Sequence, residues 1–178
     1  MFVDIRGFTA LAERTGPAAI VGRLNAFYEV ASQAIFRYDG TLDKLVGDQV
    51  MAFFGPPLNH EDHSRRAVMT ALEIMRGVAN LTQEESLAVG MGINTGEAFV
   101  GNVGGADVTD YTVLGDTVNV AARLQAEAAP GEILISQETY DAVAPDFPQA
   151  ARRDMLLKGK SESVIAWEIG QESISRAR

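Results

Sequence analysis

A long run of apolar residues at three- and four-residue steps, from Pro17 to Tyr38, most constrains how this chain can fold. Such a period is typical of an amphipathic helix with one buried face, and Pro17 suits its first turn. Asp39-Gly40 ends the helical pattern. Two strand-like stretches follow, at Thr41 to Val46 and Gln49 to Phe54, on either side of Gly47-Asp48. The chain is therefore predicted to place a long helix against a β-hairpin.

The same alternation of helices with pairs of strands continues along the rest of the chain. Strands are predicted at Leu87 to Asn94 and Glu97 to Val103, joined as a hairpin around Thr95-Gly96. The other predicted elements are helices at about Glu61 to Leu81, Thr117 to Ala128 and Gln137 to Val143, a strand at Glu132 to Ser136, and a closing strand pair at Arg153 to Leu157 and Val164 to Glu168. This order predicts an α+β fold, a ferredoxin-like, mostly antiparallel sheet with helices packed on it.

Length and composition fit a single globular domain and exclude several classes of protein. The chain has 178 residues, of which 47% are hydrophobic and 22% charged, and its formal net charge is −9. This negative charge argues against a nucleic-acid binder, which needs a basic face. No apolar run approaches the roughly 20 residues of a membrane span, and the absence of cysteine excludes disulfides, zinc–thiolate sites and thiol catalysis. We therefore expect no membrane span and a reducing, cytoplasmic location.

Two aspartates at the ends of apolar, strand-like runs are candidate metal ligands. Asp4 precedes a turn that contains Gly7, and Asp48 directly follows Gly47. Carboxylate oxygens are the ligands that Mg²⁺ and Mn²⁺ prefer, and two such ions can activate a hydroxyl and neutralise a phosphate in one displacement. Each aspartate also has an ordinary structural explanation: Asp48 as a turn residue and Asp4 as a residue resembling a helix N-cap.

Three further features of the sequence suit a nucleotide ligand. Gly7-Phe8-Thr9 opens a short predicted helix, Ala10 to Arg14, and free backbone N–H groups at a helix start can bind phosphates, although any strand-to-helix turn looks similar. Asn119 and Arg123 are four residues apart and share one helical face. An arginine there could stabilise charge that builds at a phosphorus centre, or it could be an ordinary surface residue. Lys44 lies in an apolar strand, either at an edge or interface or as a donor to a base ring nitrogen.

Two other conspicuous motifs have plainer explanations. His60-Glu61-Asp62-His63 looks like a metal cluster, but it follows Pro56-Pro57 at a helix start, where Asn59 and Asp62 are good capping residues. Gly90-Met91-Gly92 is not a dinucleotide loop, because no strand, glycine loop and helix surround it in that order. We interpret these glycines as bends or close backbone approaches.

The segments around Asp4 and Asp48, followed by the segment from Asp110 to Leu124, closely resemble in this order the catalytic domain of class III nucleotide cyclases. The resemblance extends from Phe2 to about Ile169. It implies a catalytic domain over residues 1–170 with a truncated first strand, a C-terminal tail over 171–178, and an upstream regulatory domain in a longer parent protein.

The resemblance also implies active sites shared by the two protomers of a head-to-tail homodimer. Asp4 and Asp48 of one protomer would bind two divalent cations, Mg²⁺ or Mn²⁺, and the backbone at Phe8 and Thr9 would cradle the phosphates. The other protomer would supply Lys44 and Thr112 to read the purine, and Asn119 and Arg123 to orient the ribose and stabilise the transition state. It would also supply Lys160, with Lys158 as the alternative, to contact the terminal phosphates. Because one chain carries every group, the homodimer would hold two equivalent sites.

Lys44 and Thr112 bear on the choice of base. A lysine can donate to the ring nitrogen of adenine, and a threonine hydroxyl can accept from its exocyclic amine, whereas guanylate cyclases of the family typically carry Glu and Cys at these positions. The resemblance therefore implies an adenylate cyclase that makes cyclic AMP and pyrophosphate from ATP by attack of the ribose 3′-oxygen on the α-phosphate. Threonine in place of the commoner aspartate marks a subgroup that includes bicarbonate-responsive cyclases, so stimulation by bicarbonate is a further hypothesis.

Three alternative functions stay open at this point. They are a silent cyclase-like module that only dimerises or senses nucleotide, a guanylate cyclase, and a relative of diguanylate cyclases or polymerase palms. The intact aspartate pair together with Asn119 and Arg123 argues against the first. Lys44 and Thr112 disfavour the second, and the pattern of Lys44 with Asn119 and Arg123 points away from the third.

Overall fold

Seven strands in the described part of the chain form one sheet, and two more form a separate pair. The computed structural model describes residues 1–82, 87–105, 107–157 and 163–170. In chain order the elements are β1 (Phe2–Ile5), α1 (Phe8–Arg14), α2 (Pro17–Arg37), β2 (Thr41–Val46), β3 (Gln49–Phe53), α3 (His63–Ala79), β4 (Val89–Ile93), β5 (Phe99–Gly104), β6 (Thr109–Leu114), α4 (Asp116–Glu127), β7 (Glu132–Ser136), α5 (Gln137–Val143), β8 (Ala151–Met155) and β9 (Val164–Ile169).

The strand order of the large sheet is β2-β3-β1-β4-β7-β9-β8. Neighbouring strands run antiparallel, except that β4 and β7 run parallel. The predicted α+β class with a mostly antiparallel sheet is therefore confirmed. The order also places β2, which carries Lys44, at an edge of the sheet. An edge position is one of the explanations considered above for a lysine in an apolar strand.

Helices cover both faces of the large sheet. Phe27 of α2 belongs to the main core cluster, which also includes residues of α3, and Leu124 of α4 belongs to a second cluster. Within β7, Ile133 and Ile135 belong to the first cluster and Leu134 to the second. This alternation is expected of a central strand that is buried on both faces.

Helix α4 lies directly on β4 because the strand has a glycine where the two cross. A β-carbon on Gly92 would stand 2.2 Å from the main-chain nitrogen of Gln125, far closer than atoms can pack. The interpretation of this glycine as a close backbone approach is therefore confirmed. The contact fixes α4 on the sheet, and with it the exposed helical face that carries Asn119.

The predicted hairpin from Leu87 to Val103 is wrong. β4 pairs with β1 and β7, whereas β5 pairs with β6, a strand that the sequence analysis did not predict. The physical reason is that an apolar pattern indicates extended backbone but not the partner strand. β4 is buried and paired by strands distant in sequence, while the largely exposed β5 forms a separate two-stranded arm.

Candidate active site

Asp4 and Asp48 lie at one corner of the sheet, where β1 ends and the β2–β3 turn closes. Asp4 pairs in register with Gln49, and the backbone N–H of Ile5 donates to the carbonyl oxygen of Asp48 at 3.3 Å. Partial burial and then the charge of Asp48 raise the pKa of Asp4 above its ordinary value, while Arg6 opposes the rise. The structure thus brings the two predicted metal ligands together, and their negative charges repel each other.

The site formed by Asp4 and Asp48, called the aspartate corner below, suits a hard divalent cation. Both candidate ligands are oxygen donors, and a cation between them would relieve the repulsion that raises the pKa of Asp4. Within the described ranges, no group of three or more His, Cys, Asp or Glu side chains could hold a metal ion by itself. Magnesium is commonly bound by one or two carboxylates, with water or substrate phosphates completing its coordination.

The turn that carries Asp48 is held in place from helix α2. Gly47 adopts a positive φ of 60°, which glycine tolerates without a steric penalty. The Tyr28 hydroxyl donates to the carbonyl oxygen of Gly47. Burial, with a smaller contribution from the charge of Asp48, raises the pKa of Tyr28, so the phenol stays protonated and remains a donor.

Arg6 connects the aspartate corner to helix α4. Its Nη1 lies 3.5 Å from Oδ1 of Asp4, and its Nη2 donates to the main-chain carbonyl of Gln125. With the Gln125 amide oxygen turned toward it, Nη2 also donates to that side chain at 2.7 Å. The Nε atom of Arg6 is buried without a hydrogen-bond partner. One arginine therefore touches both a candidate metal ligand and the helix that bears Asn119 and Arg123.

Lys44 and Thr112 come together on a carboxylate that the sequence analysis did not single out. The Thr112 hydroxyl donates to Oδ2 of Asp43 at 2.9 Å, and Nζ of Lys44 lies 3.4 Å from Oδ1 of the same residue. The Asp43 side chain has no exposed surface. Lys44 also donates to Asp110, and this hydrogen bond is the main cause that raises the pKa of the lysine.

Asn119 and Arg123 share one face of α4, as predicted, with Asn119 exposed and Arg123 half-buried. In the described parts of the chain no hydrogen bond or ion pair joins either side chain to Asp4 or Asp48. Phe8 and Thr9 open α1, and Gly7 is its N-cap with φ 71°. Asp4 is therefore not the cap of that helix. Lys158 and Lys160 lie outside the described residues.

Comparison with known proteins decides the family. The family model for the adenylate and guanylate cyclase catalytic domain matches residues 1–170, nearly the whole chain. The chain belongs to this family. The predicted resemblance to the class III cyclase catalytic domain is therefore confirmed.

Relatives of this cyclase domain include both adenylate and guanylate cyclases. The chain is 32% identical over 177 residues to the terminal-differentiation specific adenylate cyclase of Dictyostelium discoideum, covering 94% of this chain and 8% of that relative. The crystal structure of the guanylyl cyclase Cya2 has a TM-score of 0.89 at 32% identity, covering 94% of this chain and 88% of that one. The adenylyl cyclase CyaB from P. aeruginosa has a TM-score of 0.82 at 36% identity, covering 94% and 91%. The chain thus spans a small part of its curated relative.

Sequence reasoning missed several polar residues of this cyclase domain that contact the predicted ones: Arg6, Asp43, Asp110 and Gln125. A signal existed for Asp43, because a carboxylate is unusual within an apolar strand. No local pattern indicated the other three. Arg6 lies two residues from Asp4, but its contact with Gln125 joins residues distant in sequence, as does the contact of Asp110 with Lys44.

The His60-Glu61-Asp62-His63 motif lies at the start of helix α3, as predicted. Asp62 is the N-cap residue of α3, but its side chain makes no capping bond and instead pairs with Arg66 at 2.7 Å. His60 lies 3.3 Å from Asp39, the carboxylate that also pairs with Arg66 at 2.8 Å. Among the described residues, no helix is both long enough and apolar enough to cross a bilayer.

Proposed function

We propose that this chain is an adenylate cyclase, which converts ATP to 3′,5′-cyclic AMP and pyrophosphate. The observation that carries the proposal is that Lys44 and Thr112 both contact the buried carboxylate of Asp43. A lysine donor and a threonine hydroxyl then lie side by side. Adenine offers an acceptor at N1 and a donor at its 6-amine, which these two groups match.

The aspartate corner would serve the reacting phosphate. When bound, two divalent cations, Mg²⁺ or Mn²⁺, activate the ribose hydroxyl and neutralise phosphate charge, and we assign their binding to Asp4 and Asp48. We assign the phosphate chain to the backbone N–H groups at Phe8 and Thr9, and its terminal phosphates to Lys160. The last assignment rests on the family resemblance alone.

Asn119 and Arg123 would act on a site whose metal ligands belong to a second copy of the chain. Asn119 would orient the ribose, and Arg123 would stabilise charge that builds on the α-phosphate as the 3′-oxygen attacks. Support comes from the absence of any internal hydrogen bond or ion pair of these side chains in the described parts of the chain. Each protomer of a two-fold assembly would then give one half-site to each of two active sites.

An exposed apolar surface supports such an assembly as a head-to-tail homodimer. The arm formed by β5, β6 and the turn between them exposes several large apolar side chains: Phe99, Val103, Val108, Tyr111 and Leu114. Leu45 and Val46 of the edge strand β2 are exposed as well. Apolar patches of this kind are typical of protein–protein interfaces, and a second copy is the partner that completes the proposed sites.

Guanylate cyclase is the second candidate function, because Cya2 is a guanylyl cyclase with a TM-score of 0.89 to this chain. Lys44 and Thr112 favour adenine instead. The identity of 36% to the adenylyl cyclase CyaB supports the same choice.

The test is product formation from ATP and from GTP with Mn²⁺ or Mg²⁺, across a range of protein concentrations. Cyclic AMP from ATP, at a specific rate that rises with protein concentration, is the expected result. Cyclic GMP as the main product would establish the second candidate. Nucleotide binding without any cyclic product, in a chain shown to dimerise, would indicate a silent cyclase-like module.

Regulation by bicarbonate and by an upstream domain are separate proposals. Thr112 supports the first through the family resemblance, and the larger size of curated relatives supports the second. The bicarbonate proposal is tested by cyclase rates with and without added bicarbonate at fixed pH and ionic strength, where an unchanged rate would refute it.

A further inference from the structure

We propose that Asp43 is a specificity-determining residue, because it holds the Thr112 hydroxyl as a hydrogen-bond acceptor toward the base and so selects adenine against 6-oxopurines. The inference rests on the proposed function in one respect, that Thr112 faces the purine. It concerns a residue that does not itself touch the nucleotide and acts through its neighbour.

A β-bulge places Asp43 where it can act on Thr112. In the pairing of β2 with β3, Leu42 lies opposite Ala52 and Lys44 lies opposite Met51, so Asp43 is an extra residue without a cross-strand partner. Such a bulge redirects side chains away from strict alternation. The Asp43 side chain has no exposed surface, and its carboxylate contacts β6 of the neighbouring arm through Thr112.

The direction of the hydrogen bond between Thr112 and Asp43 follows from chemistry. An ionised carboxylate has no proton to give, whereas a threonine hydroxyl has one proton and two lone pairs. At an oxygen–oxygen distance of 2.9 Å, Thr112 is therefore the donor and Asp43 the acceptor. Once that proton is committed, the hydroxyl can only accept from any further partner.

The Thr112 hydroxyl, with its proton donated to Asp43, discriminates between bases at purine position 6. Adenine carries an amine there, which donates to the Thr112 oxygen. Hypoxanthine and guanine carry a carbonyl there, so two acceptors would face each other. Their N1 also bears a hydrogen, which opposes the ammonium of Lys44. A site built to make a hydrogen bond rejects a ligand that leaves its polar groups unpaired.

The experiment compares ATP with inosine triphosphate, because hypoxanthine differs from adenine at position 6 and N1 but lacks the 2-amino group of guanine. The readout is the ratio of kcat/KM for the two nucleotides. In Asp43→Asn, the new amide can donate to Thr112, which frees the hydroxyl proton for a carbonyl ligand. We expect the preference for ATP to fall by about tenfold. An unchanged preference in a folded Asp43→Asn protein would overturn the inference.

Two further variants separate this role from a structural one. In a Thr112→Val background, Asp43→Asn should leave the nucleotide ratio unchanged, since the two residues act as a unit. An equal fall of the ratio in that background would overturn the inference. Asp110→Asn is the matched control, because Asp110 also pairs with Lys44 but makes no hydrogen bond to Thr112 among the described contacts. It should leave the ratio unchanged, and a tenfold fall would assign the effect to Lys44 instead.

A wild-type measurement keeps the inference testable if Asp43→Asn fails to fold. Binding of ATP, purine riboside triphosphate and inosine triphosphate is compared by calorimetry. We expect affinity to fall in that order, because the second lacks the amine and the third presents a second acceptor. Equal affinity for ATP and inosine triphosphate would overturn the inference. Discrimination without cyclic product would refute the proposed function alone, whereas cyclic AMP formation without discrimination would refute this inference alone.

Discussion

A β-carbon on Gly90 would stand 2.2 Å from the Nε atom of Arg6. Gly90 lies opposite Asp4 in the pairing of β4 with β1, so the guanidinium occupies the space that a side chain at position 90 would fill. From there Arg6 reaches both Asp4 and Gln125. A glycine in one strand thus allows an arginine to join the aspartate corner to helix α4.

Gly90→Ala should displace Arg6 and disturb the aspartate corner. The added methyl group overfills a buried space, which typically costs about 1–3 kcal/mol of folding stability. The shifted guanidinium should also weaken metal binding, since it no longer orients Asp4. Thermal unfolding and the Mn²⁺ dependence of cyclase rate measure the two effects.

Gly22→Ala is the control for that substitution. Gly22 lies in the interior of α2 with no atom near the added β-carbon, so alanine should raise stability by about 0.5–1 kcal/mol through its helix propensity. Equal effects of the two substitutions on stability and Mn²⁺ dependence would contradict the role assigned to Gly90.

Asp4→Asn should stabilise the metal-free protein at neutral pH while removing its response to Mn²⁺. The pKa of Asp4 is raised above its ordinary 3.8, first by burial and then by Asp48, so the folded chain holds this proton more tightly than the unfolded chain does. The corresponding stability is present below pH 3.8 and is lost as the pH rises through the folded pKa. Asparagine at position 4 has no proton to lose in this pH range, so the variant should keep its folding stability as the pH rises.

Unfolding temperatures measured from pH 4 to 7 without metal, and again with Mn²⁺, test this prediction. The unfolding temperature of the metal-free wild type should fall relative to that of Asp4→Asn as the pH rises, and Mn²⁺ should raise it only in the wild type.

Asp48→Ala should likewise abolish metal-dependent turnover without unfolding the chain, because Asp48 lies in an external turn. A variant that still responded to Mn²⁺ would refute the metal role of its aspartate.

Arg123→Ala should lower kcat far more than it changes KM, by about a hundredfold or more. The reason is that its guanidinium is assigned to charge that exists only in the transition state. Arg37→Ala is a suitable control, since Arg37 is an exposed helical arginine that pairs with Glu73 at 3.0 Å. Steady-state kinetics that showed a raised KM with unchanged kcat in Arg123→Ala would contradict the assignment.

Local sequence patterns predicted most helices and strands of this protein but not all of its strand partners. The helix from Pro17 is present because its apolar positions repeat with the helical period and need no distant information. The hairpin predicted over Leu87 to Val103 failed because β4 and β5 each found partners elsewhere. Strand partners depend on tertiary packing between segments distant in sequence, which a local pattern does not contain.

In the candidate site, too, local sequence patterns identify some residues, while tertiary contacts determine the roles of others. Asp4, Asp48, Lys44 and Thr112 could be singled out because each stands in a recognisable local motif. Asp43 could not be given a role, because its function depends on a bulge in β2 and on contact with β6, which no local pattern predicts. Arg6 was missed for a similar reason, since its contact with Gln125 reaches a residue far along the chain.

Mixing two inactive variants tests most directly whether two copies of this chain share each ATP-cyclising site. Asp48→Asn lacks a metal ligand and Arg123→Ala lacks the transition-state arginine, so each homodimer alone should be nearly inactive. A mixed dimer has one intact site, made of Asp48 from one chain and Arg123 from the other. Equal mixing with free exchange should therefore restore about a quarter of the wild-type cyclic AMP rate. A mixture no more active than its components, with mixed dimers confirmed, would contradict the account.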